Sequence, residues 1–170
     1  MIKHSVYALP EVKRNNIKDS KIISCPGCYP TSILLPLIPL LKKNLISNNN
    51  IIIDSKSGYS GAGRGVLKKY KNQNLYESLS AYGLALHRHN SEIQQELDLI
   101  SKKINNFQFT PHLTPMFRGI LSTIYVDLKK GVTKNKVNFE LKKYYKNEMF
   151  VKISNLDVFL STNDVINTNN

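Results

Sequence analysis

The sequence predicts a single α+β domain, on three observations. A length of 170 residues suits one compact unit and falls short of two comfortable ones. Strand-like and helix-like segments both recur along the chain. They do so without the regular strand–helix–strand alternation of a parallel α/β fold. Taken in order, residues 5–9 and 21–24 read as short strands, with a turn or short helix over residues 10–18 between them. A Pro-Gly break precedes Cys28, and residues 31–43 then carry Ile33, Leu34, Leu37, Ile38 and Leu41 at helical spacing. Pro36 lies inside that segment, where it removes a backbone hydrogen bond and predicts a bend. Ile51-Ile52-Ile53 reads as a buried strand running into residues 57–65, a loop with four glycines. Beyond an irregular stretch around Gln73, residues 83–89 read as extended. Ser91 then opens a helix in which Gln94 completes a capping box and Ile93, Leu97, Ile100 and Ile104 share a face. Residues 107–113 and 119–128 read as strands, 136–146 as a helix and 150–154 as a last strand.

Composition narrows the function classes. The chain carries 24 basic and 12 acidic residues, a net charge of +12. Of the 24, 20 are Lys and 4 are Arg, scattered in ones and twes along a sequence equally rich in Asn and Ile. That pattern reads as compositional drift rather than a nucleic-acid surface, because Arg, the residue suited to bidentate phosphate contacts, is scarce. The longest apolar run, residues 33–41, is broken by Pro36 and Pro39 and is far shorter than the ~20 residues a membrane helix needs. The first residues lack the features of a secretory signal, which points to the cytoplasm. Two cysteines three residues apart cannot staple distant segments, so redox chemistry, metal binding or nucleophilic catalysis come before a disulfide framework.

Four segments carry candidate chemistry. Cys28 follows a strand and a Pro-Gly turn and precedes a helix, so its sulfur lies near the positive helix end, a field that favours an anionic nucleophile. Read as a bare Cys25-x-x-Cys28 pair, the same residues fit a dithiol redox couple, or half of a zinc site completed by His87 and His89. His87-Arg88-His89 falls on a connection into a helix, a usual place for catalytic side chains. The loop from Ser57 through Gly58, Ser60, Gly61, Ala62 and Gly63 to Arg64 can expose successive backbone N–H groups as an anion nest, with Arg64 adding a guanidinium fork. It matches no nucleotide-binding fingerprint and serves equally as a plain surface loop. Arg118, just before a strand, can bind a carboxylate or pair with a neighbouring acid.

Together these segments resemble the N-acetyl-γ-glutamyl-phosphate reductases. The resemblance is carried by Cys25-Pro26-Gly27-Cys28-Tyr29-Pro30-Thr31, by Asp54-Ser55-Lys56-Ser57-Gly58-Tyr59-Ser60-Gly61-Ala62-Gly63-Arg64, by His87-Arg88-His89 with Glu92-Ile93, and by residues 110–121. It implies a mixed β-sheet flanked by helices, like the C-terminal catalytic domain of glyceraldehyde-3-phosphate and semialdehyde dehydrogenases. It also implies NADP(H)-dependent reduction of a small acyl phosphate to an aldehyde, in arginine biosynthesis, by a homo-oligomer (dimer or tetramer). By resemblance Cys28 is the nucleophile, His87 or His89 moves protons with His87 favoured, and Arg88 and Arg118 hold substrate anions. Residues 57–64 then line the cofactor's phosphates or its nicotinamide end. The family has Asn where this chain has Cys25, and it begins with a dinucleotide-binding domain that has no counterpart here. Residues 1–170 are thus expected to be the catalytic and dimerisation domain, with 1–24 the trailing edge of the dinucleotide-binding domain and 160–170 the start of the return to it.

Overall fold

The computed structural model describes residues 2–63, 77–101 and 107–169. Near the amino terminus, Ser5–Tyr7 (β1) and Ile22–Ser24 (β2) pair in parallel, joined by the helix Pro10–Lys18 (α1). Pro10 starts that helix, where its missing N–H leaves no bond unmade. The main sheet is mixed. Its order is Ser80–Ala81 (β4), Phe107–Leu113 (β5), Ile51–Ser57 (β3), Ile120–Tyr125 (β6), with β3 parallel to β5 and antiparallel to β6. The helices Cys28–Lys42 (α2), His89–Ile100 (α3) and Lys134–Tyr144 (α4) complete an α+β fold.

Along β3 the side chains alternate, with Ile51, Ile53, Ser55 and Ser57 buried and Ile52 exposed. The buried side meets α2, whose Ile33, Leu34, Leu37 and Ile38 are fully enclosed in the core with Ile93 and Leu97 of α3. Each such side chain contributes roughly 1.5–3 kcal/mol of burial. Where hydroxyls enter this layer they satisfy one another: Ser122 Oγ lies 2.8 Å from Ser32 Oγ and 2.7 Å from Ser55 Oγ.

α2 runs unbroken from Cys28 through both Pro36 and Pro39. Pro39 has no N–H to give the carbonyl four residues back, at Leu35. The hydroxyl of Tyr145, 3% exposed just beyond α4, donates to that carbonyl at 2.5 Å. The helix therefore tolerates the proline because a distant side chain restores the lost bond. Tyr145→Phe is expected to lower the free energy of unfolding by roughly 1–2 kcal/mol, read from urea denaturation. An unchanged midpoint would show that the carbonyl finds another donor.

Four expectations are corrected. Residues 83–89 are not extended: Gly83 and Ala85 take positive φ (57° and 58°), and Leu86 N–H closes a turn on Gly83 O at 3.1 Å. Asn90 Nδ2 donates to Ala85 O at 3.2 Å and holds the strained residue. α3 starts at His89 with Arg88 as its N-cap, and no side chain caps it in the way a Ser91–Gln94 box requires. Residues 150–154 form no strand; Asn138 of α4 donates to Ser154 O at 2.8 Å, so a helix side chain serves where a ladder partner is missing. The expected long strand over 119–128 is Ile120–Tyr125, with Leu128 making only an isolated bridge to Ile46. Ile104 and the stretch around Gln73 lie outside the described residues.

Candidate active site

The start of α2 and the start of α3 meet at one cavity of about 520 Å³. Cys28 is the first residue of α2; the preceding Gly27 has extended backbone (φ −63°, ψ 167°), and no side chain caps the helix. The positive end of a 15-residue helix thus lies at the thiol. Gly27 is glycine because the buried His89 ring lies over it: a Cβ there would fall 2.5 Å from His89 Nε2. The Gly27 N–H donates to Glu92 Oε2 at 3.0 Å, and Tyr7 Oη donates to the same oxygen at 2.7 Å. Glu92 therefore ties the approach to Cys28, strand β1 and helix α3 together, with Oε1 3.8 Å from His89 Nε2.

The two imidazoles stand side by side, centroids 4.8 Å apart. The His89 backbone N–H donates to His87 Nδ1 at 3.2 Å, so His87 fills the role of a helix cap, and its neutral ring carries the proton on Nε2. His89 is 5% exposed, and its Nδ1 has no hydrogen-bond partner among the described residues. Burial first, then the charges of His89 and Arg88, hold His87 below the usual imidazole value of 6.5 against the pull of Glu92. Burial likewise lowers His89, with Glu92 opposing and Arg88 assisting. Burial tends to raise the Glu92 carboxyl, but the hydrogen bonds from Gly27 and Tyr7 and the nearby positive charge bring it below its ordinary range.

The sign of the pH effect follows. Because both imidazoles titrate lower in the folded chain than in the unfolded one, the unfolded chain takes up protons first on acidification. Stability is expected to fall as pH drops through about 6.5. Urea midpoints measured between about pH 7.5 and 5.5 should show this slope, flattened in a His87→Gln, His89→Gln double variant. Equal slopes in the two proteins would count against it.

The end of β3 and the loop after it also line the cavity, through Ser57, Gly58, Ser60, Gly61 and Ala62. The expected anion nest is corrected. Gly58 N–H donates to Gly119 O (2.9 Å), Tyr59 N–H to Met116 O (3.1 Å) and Ser60 N–H to Phe117 O (3.0 Å). Gly61 and Gly63 amides close on Gly58 O and Ser60 O at 3.4 and 3.3 Å. Amides already paired inside the protein cannot cradle phosphate. The loop instead presents the Ser57 and Ser60 side chains and the bare Gly61, whose missing side chain would meet nothing within 4 Å.

The structure thus brings Cys28, His87, Arg88, His89, Ser57, Gly58, Ser60, Gly61 and Ala62 to one cavity. Gly63 and Arg118 are not on its wall, and the exposed Arg118 guanidinium lies 5.3 Å over the Phe117 ring. Arg64 lies outside the described residues. Cys25 and Cys28 are both exposed free thiols, and Cys25 does not line the cavity. Among the described residues, no group of three or more His, Cys, Asp or Glu side chains is placed to hold a metal ion. Sequence reasoning gave no role to Tyr29, Tyr82 or Glu92. Tyr29 and Glu92 lie inside the motifs quoted above and Tyr82 shortly before His87, which is the only signal for them.

Cys28 at the start of α2 thus shares one cavity with two imidazoles, beside a mixed sheet. Residues 28–170 match the family model described as semialdehyde dehydrogenase, dimerisation domain, and the chain belongs to that family. It is similar to the N-acetyl-gamma-glutamyl-phosphate reductases. Identity is 47% over 170 residues to that of Prochlorococcus marinus (strain AS9601), covering 99% of this chain and 48% of the relative. It is 46% over 167 residues to the probable chloroplastic enzyme of Arabidopsis thaliana, covering 98% and 42%. The chain spans about half the length of the curated relatives it matches. Among solved structures, a probable aspartate-semialdehyde dehydrogenase from Pseudomonas aeruginosa superposes with TM-score 0.69 at 11% identity, over 99% of this chain and 57% of that one. Aspartate semialdehyde dehydrogenase II of Vibrio cholerae gives 0.67 at 14%, over 94% and 54%. These likenesses fix the fold.

Proposed function

We propose that this chain is the catalytic and dimerisation part of an N-acetyl-γ-glutamyl-phosphate reductase. The reaction is reduction of N-acetyl-glutamyl 5-phosphate to the 5-semialdehyde and phosphate, with NADPH, in arginine biosynthesis. One observation carries the reading: Cys28, at the positive end of α2, opens on the same cavity as His87 and His89. The Cys28 sulfur attacks the acyl carbon; a C–S bond forms, the C–O bond to phosphate breaks and phosphate leaves. A reduced nicotinamide, when bound, would supply hydride to the acyl carbon; the C–S bond then breaks, the Cys28 sulfur leaves as thiolate and the aldehyde is released. His87, with its proton on Nε2, moves protons at the sulfur and the carbonyl oxygen, and His89 assists. Arg88, on the cavity wall, is the cation for a substrate anion.

The loop fits the nicotinamide end of the cofactor better than its phosphates. Gly61 has no internal need to be glycine, since its φ is ordinary and its Cβ position is empty, so a flat ring can approach its backbone closely. The paired amides leave little for phosphate. The relatives are about twice as long, and we propose that the remaining dinucleotide-binding part comes from sequence outside this chain, with residues 1–24 and 160–170 at the junction. We propose a homo-oligomer, and no nucleic-acid or membrane partner. The family model is a dimerisation domain, and the uncovered sheet face carries Ile52, Leu121 and Tyr125 at 45%, 44% and 56% exposure. Among the described residues no helix is long and apolar enough to cross a membrane. The proposed setting is the cytoplasm, although the Arabidopsis relative is named as chloroplastic. The test is to combine the chain with the amino-terminal half of the Prochlorococcus reductase. NADPH oxidation that requires N-acetyl-glutamyl phosphate and releases one phosphate per turnover supports the reading. A folded complex that binds NADPH yet leaves this substrate unreduced overturns it.

A further inference from the structure

Tyr29, the neighbour of Cys28, joins pieces of the site that the chain brings from four separate places. It is 2% exposed. Its ring meets His87 edge-on at 5.5 Å, His89 at 5.8 Å and Phe109 of β5 at 5.2 Å. These separations lie within the range in which aromatic rings attract beyond simple burial. Its hydroxyl lies 2.8 Å from Ser57 Oγ, at the end of β3, and 2.9 Å from Tyr82 Oη, beside the turn that leads to His87. Tyr82 in turn contacts the His87 ring at 5.6 Å. Three hydroxyls in a row hold one another by directional bonds, so the end of β3 and the Tyr82 turn are fixed relative to each other through the Tyr29 oxygen.

We infer that Tyr29 is a positioning residue: its ring packs both imidazoles beside Cys28, and its hydroxyl clamps the Tyr82 turn against His87. The two parts of the side chain do different work. The ring shields both His87 and His89 from water. The hydroxyl acts on His87, through Tyr82, whereas His89 packs over Gly27 with Glu92 Oε1 3.8 Å from its Nε2. The inference rests on the reading of Cys28 and the histidines as the reacting groups, but its test uses neither substrate nor cofactor.

The groups facing the imidazoles are Cys28 and Tyr29 from α2, Tyr82 from the turn, Arg88 between the two histidines in sequence and Glu92 from α3. The full 170-residue chain, carrying Cys25→Ser so that one thiol reports, is labelled at histidine and titrated by NMR, and the rate of Cys28 alkylation by iodoacetamide is followed against pH. In Tyr29→Phe the ring stays and the clamp goes. The His87 midpoint is expected to rise toward that of free imidazole while His89 stays in place, and the pH profile of Cys28 alkylation moves with His87. In Tyr29→Leu both midpoints rise. A residue that served stability alone would lower the urea midpoint without this split between the two histidines. Should Tyr29→Leu fail to fold, Tyr29→Phe decides by itself. A folded Tyr29→Phe with an unmoved His87 midpoint and an unchanged alkylation profile overturns the inference. Failure here leaves the acyl-phosphate chemistry untouched, and failure of that chemistry leaves these titrations as they are.

Discussion

Cys28→Ser is expected to slow the transfer of an acyl group from an acyl phosphate to the chain by ~10³-fold or more, while the fold survives. The side chain is exposed, so exchanging sulfur for oxygen leaves no cavity and no buried polar atom behind. What changes is the proposed nucleophile. A thiol gives up its proton near neutral pH far more readily than a hydroxyl. The measurement needs no cofactor, because the first half of the proposed reaction ends at the acylated enzyme. The chain is incubated with N-acetyl-glutamyl phosphate, quenched in acid and weighed by mass spectrometry, with peptide mapping to place the adduct. A single acyl group on Cys28, absent from Cys28→Ser and retained in Cys25→Ser, is the expected outcome. An adduct that survives in Cys28→Ser, or that maps to Cys25, removes Cys28 from the centre of the chemistry.

The largest loss of stability is expected from Gly58→Ala, on the order of 3 kcal/mol. An added Cβ would lie 2.5 Å from the carbonyl oxygen of Phe117 and 2.8 Å from the amide nitrogen of Arg118. Both atoms are backbone, so no rotamer change relieves the clash. The loop after β3 and residues 116–119 must separate, which breaks the hydrogen bonds that Gly58, Tyr59 and Ser60 make to them. Gly61→Ala is the control in the same loop. With nothing within 4 Å of its Cβ position, it should leave the urea midpoint nearly unchanged. Equal midpoints for the two variants would mean that the loop yields far more easily than its bonding suggests.

The parts of the fold legible in the sequence are those whose signal is local and whose partner is generic. The strand expected at 107–113 is β5 to the residue, because Phe107, Phe109 and Leu113 read as strand whichever neighbour they acquire. α2 was legible in its apolar face, but its start was placed three residues late, since Cys28, Tyr29 and Pro30 show no helical preference until a helix is built behind them. The bend at Pro36 was expected on local grounds alone. What the helix does at its prolines depends in part on Tyr145, 110 residues from Leu35, and no window of sequence contains both. Residues 150–154 have strand composition but find a helix instead of a strand edge. At the site, Cys28 and the two histidines stand out in the sequence by residue type, and the fold brings them to one cavity. Tyr29 and Glu92 act through geometry, and geometry is not written in residue type. The glycine loop misled for the same reason: glycines suggest free amides, and only the arrival of residues 116–119 shows the amides in use.

The pairing of those amides has a consequence for how a ligand arrives. A loop whose main chain is already bonded to its own protein has little disorder left to surrender when a guest settles against it. Association at this wall should therefore resemble docking onto a finished surface, with the entropy of ordering charged elsewhere in the complex.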